Sequence, residues 1–245
     1  MPDSTTNYFG QWRTYSEYNY LRPGPISWIK RGHFRKALRL TTDHPENCSV
    51  IDFGCGDGFF IPTLAKRFRK VVGIDKSRKM VELCSFLIKE MDIENAELIC
   101  SENMTVREVK SKLGMKSDIV FLLETLEHIG EPGRLYESQL DFLRELAELS
   151  DTIVFSIPKM VGFPLILQRV GLWAFRMNRE PISLRTLLRA GFLRDNSELE
   201  KSWHGGHLGF DYRELEKCIS DEFRIAKKAS GFFQNVYVLE KIKEV

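Results

Sequence analysis

The run Val50-Ile51-Asp52-Phe53-Gly54-Cys55-Gly56-Asp57-Gly58 limits what this chain can fold into more than any other feature. A β-prone apolar stretch stops at three glycines, and a helix-periodic segment follows, with Ile61, Leu64, Ala65 and Phe68 on one face and Pro62 in its first turn. Glycines at such a bend let the backbone approach a ligand closely and take up dihedrals that a Cβ forbids. A second β-prone run, Val71-Val72-Gly73-Ile74, ends in Asp75. A carboxylate about 20 residues beyond a glycine bend can accept both hydroxyls of a ribose. Bend and acid together point to an adenosine-containing ligand.

Strand-like and helix-like segments continue to alternate. Glu97–Cys100, Asp118–Leu123 and Thr152–Ile157 read as strands. Met80, Cys84, Leu87 and Met91 keep helical spacing, as do Leu135, Phe142, Leu146 and Leu149 after Pro132-Gly133. Strand and helix taking turns over residues 49–157 means βαβ units, a parallel sheet, and a ligand bound beyond the carboxyl ends of its strands. After Pro158 the pattern breaks. About 50 residues precede the helix expected near Asp211, far more than a crossover needs, so 159–210 reads as an inserted cap. Phe223–Ala229 and Asn235–Glu240 should close the chain as an antiparallel hairpin. At the other end, an aromatic segment (Tyr8, Phe9, Trp12, Tyr15, Tyr18, Tyr20) leads through Arg22-Pro23-Gly24-Pro25 into a helix expected over Ile26–Leu40. Residues 1–45 are read as a pocket cover belonging to the same domain as 46–245.

Composition narrows the classes. With 43% hydrophobic residues in 245, one sizeable core is within reach. Thirty-six basic against 34 acidic residues give no support for a nucleic-acid-coating protein. Cys48, Cys55, Cys84, Cys100 and Cys218 form no CxxC pair and no metal-ligand cluster, and read as free thiols in a reducing compartment. The N-terminal stretch has no signal-peptide pattern, and the apolar run Met160–Phe175 contains Pro164, Gln168 and Arg169 and is shorter than the roughly 20 residues of a spanning helix. A cytoplasmic protein is the expectation.

Which adenosine ligand is bound turns on Phe59. A dinucleotide fingerprint anchored on Gly54 and Gly56 would need a third glycine where Phe59 stands, and Asp57 would be unwelcome beside a pyrophosphate. Near a cationic sulfonium and its amino group, Asp57 would be useful. The residues from Asp52 to Gly58 resemble the first motif of class I S-adenosylmethionine-dependent methyltransferases, and Val72-Gly73-Ile74-Asp75 resembles their second. Asp118-Ile119-Val120-Phe121-Leu122-Leu123-Glu124-Thr125-Leu126-Glu127-His128-Ile129 is similar to their fourth-strand motif. Its Leu-Glu-His-Ile ending is frequent in the small-molecule O- and N-methyltransferases of the ubiquinone-biosynthesis type. The resemblance covers residues 48–158 well and 211–240 loosely.

It implies an α/β fold: a Rossmann-like, seven-stranded, mostly parallel sheet with helices on both faces and a C-terminal antiparallel hairpin. S-adenosyl-L-methionine is the implied cofactor. Gly54, Gly56 and the Cys55 backbone would face its methionine part, Asp52 its amino group, and Asp75 the ribose hydroxyls with Lys76 alongside. Glu102 or Asn103 would stand near the adenine, and Glu124 and Thr125 near the sulfonium. The partner is a small-molecule acceptor with an attacking O or N atom, not nucleic acid. The Asn/Asp-Pro-Pro-aromatic signature of amino-directed DNA and protein enzymes is absent where Glu124-Thr125-Leu126-Glu127 stands. A donor-binding or scaffolding subunit without catalysis is the alternative.

Methyl transfer from a sulfonium needs a general base only if the attacking atom keeps its proton, and histidine suits that task. Glu127, His128 and His207 are the catalytic candidates. His204 and His207 could reach one ligand, but no third donor is near in the sequence, so no metal site is expected. His33 and His44 read as surface residues. The segment Val161–Trp173, followed by Arg176, Arg179, Arg185 and Arg189, has three readings: a lid over the acceptor, an interfacial segment making weak membrane contact through residues 160–175, or a helix packed on the core or on a second subunit. The oligomeric state stays open.

Overall fold

A computed structural model describes residues 14–21, 23–41, 43–174 and 181–242. Tyr8, Phe9 and Trp12 of the aromatic segment, and Phe175, Arg176 and Arg179 of the cap, lie outside the described residues. The strands are β1 (Ser49–Phe53), β2 (Lys70–Asp75), β3 (Ala96–Cys100), β4 (Ile119–Leu122), β5 (Thr152–Pro158), β6 (Phe223–Ser230) and β7 (Gln234–Lys241). They form one sheet in the order β3-β2-β1-β4-β5-β7-β6. The first five strands pair parallel, whereas β7 runs antiparallel to both β5 and β6. The terminal hairpin expected from the sequence is therefore present, and it inserts its second strand next to β5.

Consecutive apolar residues in the central strands serve two cores, because successive side chains point to opposite faces. Ile51, Val72, Val120, Leu122, Ile153 and Phe155 face one way, onto α5 (Val106–Leu113), α6 (Leu135–Leu146) and α10 (Tyr212–Ile219). Val50, Val71, Phe121 and Val154 face the other, onto α2 (Gly32–Leu40), α3 (Ile61–Ala65) and α4 (Arg78–Glu90). The chain passes from β1 to β2 on one side and later returns from β3 to β4 on the other. That reversal opens a crevice above β1 and β4, where ligands of such sheets bind.

Two details differ from the sequence reading, while the cap after the fifth strand is helical in part, as expected. The helix expected over Ile26–Leu40 is two, α1 (Pro25–Lys30) and α2, broken at Arg31 ahead of Gly32, a poor residue for a helix interior. The helix α5 was not anticipated. Thr105 accepts from the Glu108 N–H while the Glu108 carboxylate accepts from the Thr105 N–H, a capping box, and Gly114 ends the helix at φ 72°. The cap after β5 is helical: α7 (Phe163–Ala174), α8 (Leu184–Leu188), a π-helical turn (Arg189–Leu193) and α9 (Ser197–Lys201). It has a small core of its own, Met160, Leu165, Ala190 and Leu199. Among the described residues no helix is long and apolar enough to cross a membrane.

Candidate functional site

The glycine bend leaves β1 at the crevice floor. Gly54 and Cys55 both donate their N–H groups to the Ile74 carbonyl, at 2.7 and 3.0 Å. The Cys55 backbone, expected to face the ligand, is engaged on both sides: its N–H is committed to β2, and its carbonyl accepts from the Gly58 N–H at 3.1 Å within the bend. Gly54 sits at φ 82°, and a Cβ there would lie 2.4 Å from Thr125 Oγ1, so the end of β4 packs straight onto the bend. Gly58 has a different task. A Cβ on it would lie 2.5 Å from Cys84 Sγ, so this glycine admits α4. Gly56, at φ 57°, meets nothing within 4 Å in its Cβ direction and faces open space.

Asp75 reaches back to the bend. Its Oδ2 accepts from Gly56 N–H at 2.9 Å, and its Oδ1 accepts from Ser77 N–H at 2.8 Å. Asp52, only 4% exposed between Gly73 and Phe121, has its pKa pushed up to about 7 by burial and by the Asp75 carboxylate. Such a carboxyl gains from a cationic partner. A bare cradle at Gly56, a carboxylate beside it and a second buried acid below suit the ribose and the ammonium of S-adenosyl-L-methionine. Lys76 is exposed one residue beyond. Glu102 is exposed and pairs with Arg78 at 3.3 Å, and Asn103 lies exposed in the turn after β3. Asp57 is turned elsewhere than expected. Its carboxylate accepts from Ser16 N–H at 2.8 Å and from Ser16 Oγ, which ties the N-terminal segment over the bend.

The crevice's opposite wall begins at Glu124, which takes the left-handed conformation at φ 55°, a costly one for a non-glycine residue. Glu124 N–H donates to Ser156 Oγ at 2.9 Å, and its Oε1 accepts from Gln234 Nε2 at 2.8 Å. Burial raises the Glu124 pKa, and His33, Glu127, His207 and Lys30 all act on it electrostatically. His33, expected at the surface, is 1% exposed, and both ring nitrogens lack hydrogen-bond partners. The break at Arg31 turns α2 so that this ring packs at 4.0 Å from Phe34 beside Tyr20, under the crevice. Burial holds the imidazole pKa below its usual value, against the pull of Glu124 and Glu127. His44 is exposed, as expected. Tyr20 stacks at 4.6 Å on Phe59, so the residue that argued against a dinucleotide anchors the cover.

Glu127 is fully buried, with neither oxygen hydrogen-bonded. His207 Nδ1 stands 3.5 Å from Glu127 Oε1. Burial alone would lower the His207 pKa, but Glu127 and Glu124 outweigh it and the net direction is upward. His128 Nδ1 lies 2.7 Å from the Gly205 carbonyl, an acceptor, so this nitrogen donates the hydrogen bond and Nε2 is the ring edge left free of it. The His128 and His207 rings are 4.7 Å apart. The pairing entertained from sequence, His204 with His207, is not the one the fold makes: His204 is exposed and bonds to the Ser202 carbonyl. The third donor missing near His207 is supplied from far upstream. One ligand atom each from Glu127, His128 and His207 lie within 4.8 Å of one another, a carboxylate and two imidazoles able to hold a divalent cation.

Sequence reasoning missed Ser16, His33, Ser156 and Gln234, whereas Tyr20 belongs to the aromatic segment read as the cover. Ser156 alone carried a signal, as a hydroxyl within an otherwise apolar strand. The others reach the site only through the way the N-terminal segment, α2 and β7 pack.

Residues 44–158 match the methyltransferase-domain family. With the sheet order and the bend–acid pair, that match supports a class I S-adenosylmethionine-dependent methyltransferase domain over these residues. The chain is 25% identical over 165 residues to the ubiquinone biosynthesis O-methyltransferase of Pelagibacter ubique, covering 65% of each. It is 31% identical over 88 residues to the enzyme of the same name from Alkalilimnicola ehrlichii, across 36% of this chain and 34% of that one. The chain thus spans less than two thirds of these relatives' length. Among solved structures, Synechocystis magnesium protoporphyrin IX methyltransferase with bound S-adenosylhomocysteine shares the fold, with TM-score 0.56 and 20% identity over 90% of both chains.

Proposed function

We propose that the protein transfers a methyl group from S-adenosyl-L-methionine to an oxygen or nitrogen of a small acceptor, seated between the glycine bend and the Glu127–His128–His207 cluster. The observation that carries this reading is the 2.9 Å bond between Gly56 N–H and Asp75 Oδ2, in the same crevice that Glu124 and Glu127 wall on the far side. Bound there, the donor supplies an electrophilic methyl on a cationic sulfur with a neutral leaving group. Asp75 accepts from the ribose hydroxyls and Asp52 neutralises the ammonium. Tyr20, Phe34 and Phe59 exclude water and hold the partners in line, which is where most of the catalysis arises. His207 takes the acceptor's proton, and Glu127 stabilises the imidazolium. The relatives named for ubiquinone biosynthesis favour oxygen on an apolar molecule as the acceptor, and five free thiols fit the cytoplasm.

A second reading of proton removal rests on the same three side chains: a divalent cation held by Glu127, His128 and His207 would acidify an acceptor hydroxyl directly. Titration with zinc or magnesium, monitored by calorimetry in wild type and His207→Ala, separates it from the metal-free base. For the main reading, Asp75→Ala should weaken S-adenosylhomocysteine binding by about 100-fold, the scale of two charge-assisted hydrogen bonds. Wild-type affinity in that variant would sink the donor assignment. Labelled-methyl transfer into a small-molecule extract tests catalysis against a scaffolding role.

A further inference from the structure

The fold fixes Glu124 firmly and leaves it without a counter-ion. It follows β4 at φ 55°, a left-handed conformation that a side-chain-bearing residue adopts only where its surroundings impose it. Two neutral groups impose it here. The Glu124 N–H donates to Ser156 Oγ at 2.9 Å, and Oε1 accepts from Gln234 Nε2 at 2.8 Å and from Ser156 Oγ at 3.3 Å. Ser156 belongs to β5 and Gln234 to β7, so the antiparallel pairing of these strands sets the carboxyl in place. A glycine would make the same turn without strain, so the side chain is what the site keeps. Among the described residues Glu124 has no ion-pair partner; the imidazole–carboxylate pair of this wall joins His207 to Glu127. His33, His207 and Lys30 favour its charge across space, but burial outweighs them. With Oε1 engaged, Oε2 is the oxygen left for a ligand. The next residue, Thr125, packs its Oγ1 where a Cβ on Gly54 would stand, so this carboxyl borders the bend.

A carboxyl whose burial disfavours its charge gains most from a cation that the ligand brings. Donor and product differ in just that respect. As the acceptor's lone pair bonds to the methyl carbon, the C–S bonding pair stays on sulfur, and a sulfonium becomes a neutral thioether. We infer that Glu124 is the residue by which the crevice tells the charged donor from its neutral product. This rests on the donor site proposed above and divides the labour within it. Asp75 and the Gly56 cradle hold the nucleoside that both ligands share, while Glu124 reads the charge that only one carries. Ser156 and Gln234 are positioning residues, which hold the carboxyl ready so that little reorganisation accompanies binding. The consequence for turnover is a donor held by one contact more than the product that must leave.

The test is calorimetry on the full chain, with EDTA present so that no divalent cation substitutes for the ligand's charge. Three ligands are compared: S-adenosyl-L-methionine, S-adenosylhomocysteine, and sinefungin, which carries an ammonium where the methyl would be. Glu124→Gln should weaken the two cationic ligands by about tenfold or more, the scale of one charge–charge contact in a half-buried site. It should leave S-adenosylhomocysteine nearly unchanged. Glu124→Gly should show the same selective loss with a melting temperature close to that of wild type, since relief of the left-handed turn offsets glycine's greater freedom when unfolded. Agreement between two variants that differ in strain identifies charge, not shape, as the cause. Asp75→Ala should weaken all three ligands alike. Equal losses of all three in Glu124→Gln overturn the proposal, as does no loss of any, and either result leaves the donor site standing. Wild type that binds none of the three overturns the donor site and this proposal with it.

Discussion

At the residue scale the three glycines of one motif do three different jobs, and substitution separates them. Gly54→Ala adds left-handed strain and a collision with Thr125, and should cost roughly 2–4 kcal/mol in urea denaturation. Gly56→Ala adds only the strain, about 1–2 kcal/mol, because its Cβ meets open space. The larger change in this second variant should be in S-adenosylhomocysteine affinity, since the new methyl enters the cradle. Asp52 supplies a pH signature. Its folded pKa is raised, so its contribution to stability is complete below the unfolded carboxylate range and is lost as pH rises through about 7. Asp52→Asn should therefore raise the melting temperature of the ligand-free protein by several degrees at pH 8 and leave it unchanged near pH 4, by differential scanning fluorimetry. It should weaken donor binding at the same time.

At the scale of elements, the cover and the sheet behave as separable parts. The helix α5 is set by its capping box and carries none of the candidate site residues, so Thr105→Ala should cost about 1 kcal/mol in denaturation with no change in donor affinity. Ser16 is the counter-example. It lies far from the sheet in sequence, yet it bonds Asp57 within the bend. Asp57→Asn should leave stability nearly unchanged and loosen the cover, seen as faster amide exchange over residues 14–21. The two-helix form of residues 25–40 belongs to the same lesson. A continuous helix would satisfy the local periodicity, and the break at Arg31 is what delivers His33 to the crevice.

At the scale of the whole molecule, the proposed reacting centre draws on the end of β4 and a cap loop some 80 residues later. His207→Ala should lower kcat by about 10²–10⁴-fold, the range for loss of a general base, with donor affinity unchanged by calorimetry. Because Glu127 and Glu124 raise the His207 pKa, its neutral, base-competent form accumulates only above its ordinary value of 6.5. The acid limb of the wild-type rate profile should accordingly lie on the alkaline side of that value, and should vanish in the variant. The stabilising ion pair runs the other way. It is complete below about 6.5 and lost as pH rises through the folded value.

The parallel sheet, its terminal hairpin and the bend–acid pair were legible in the sequence because they rest on local chemistry: apolar runs that must be buried on both faces, glycines where a Cβ would clash, and an acid at a strand's end; the order of the strands was not. Gly54 and Asp75 could be picked from residue type and position alone, and Glu127 through the resemblance of the fourth-strand motif. His33, Gln234, Ser16 and the His207–Glu127 pairing could not. Nothing in the residues around them records which distant segment will face them; that depends on how α2, β7 and the cap dock onto a finished sheet. Local sequence thus determined the sheet and the bend–acid pair of the proposed donor site. The proposed acceptor side was decided only by packing between segments remote in the chain.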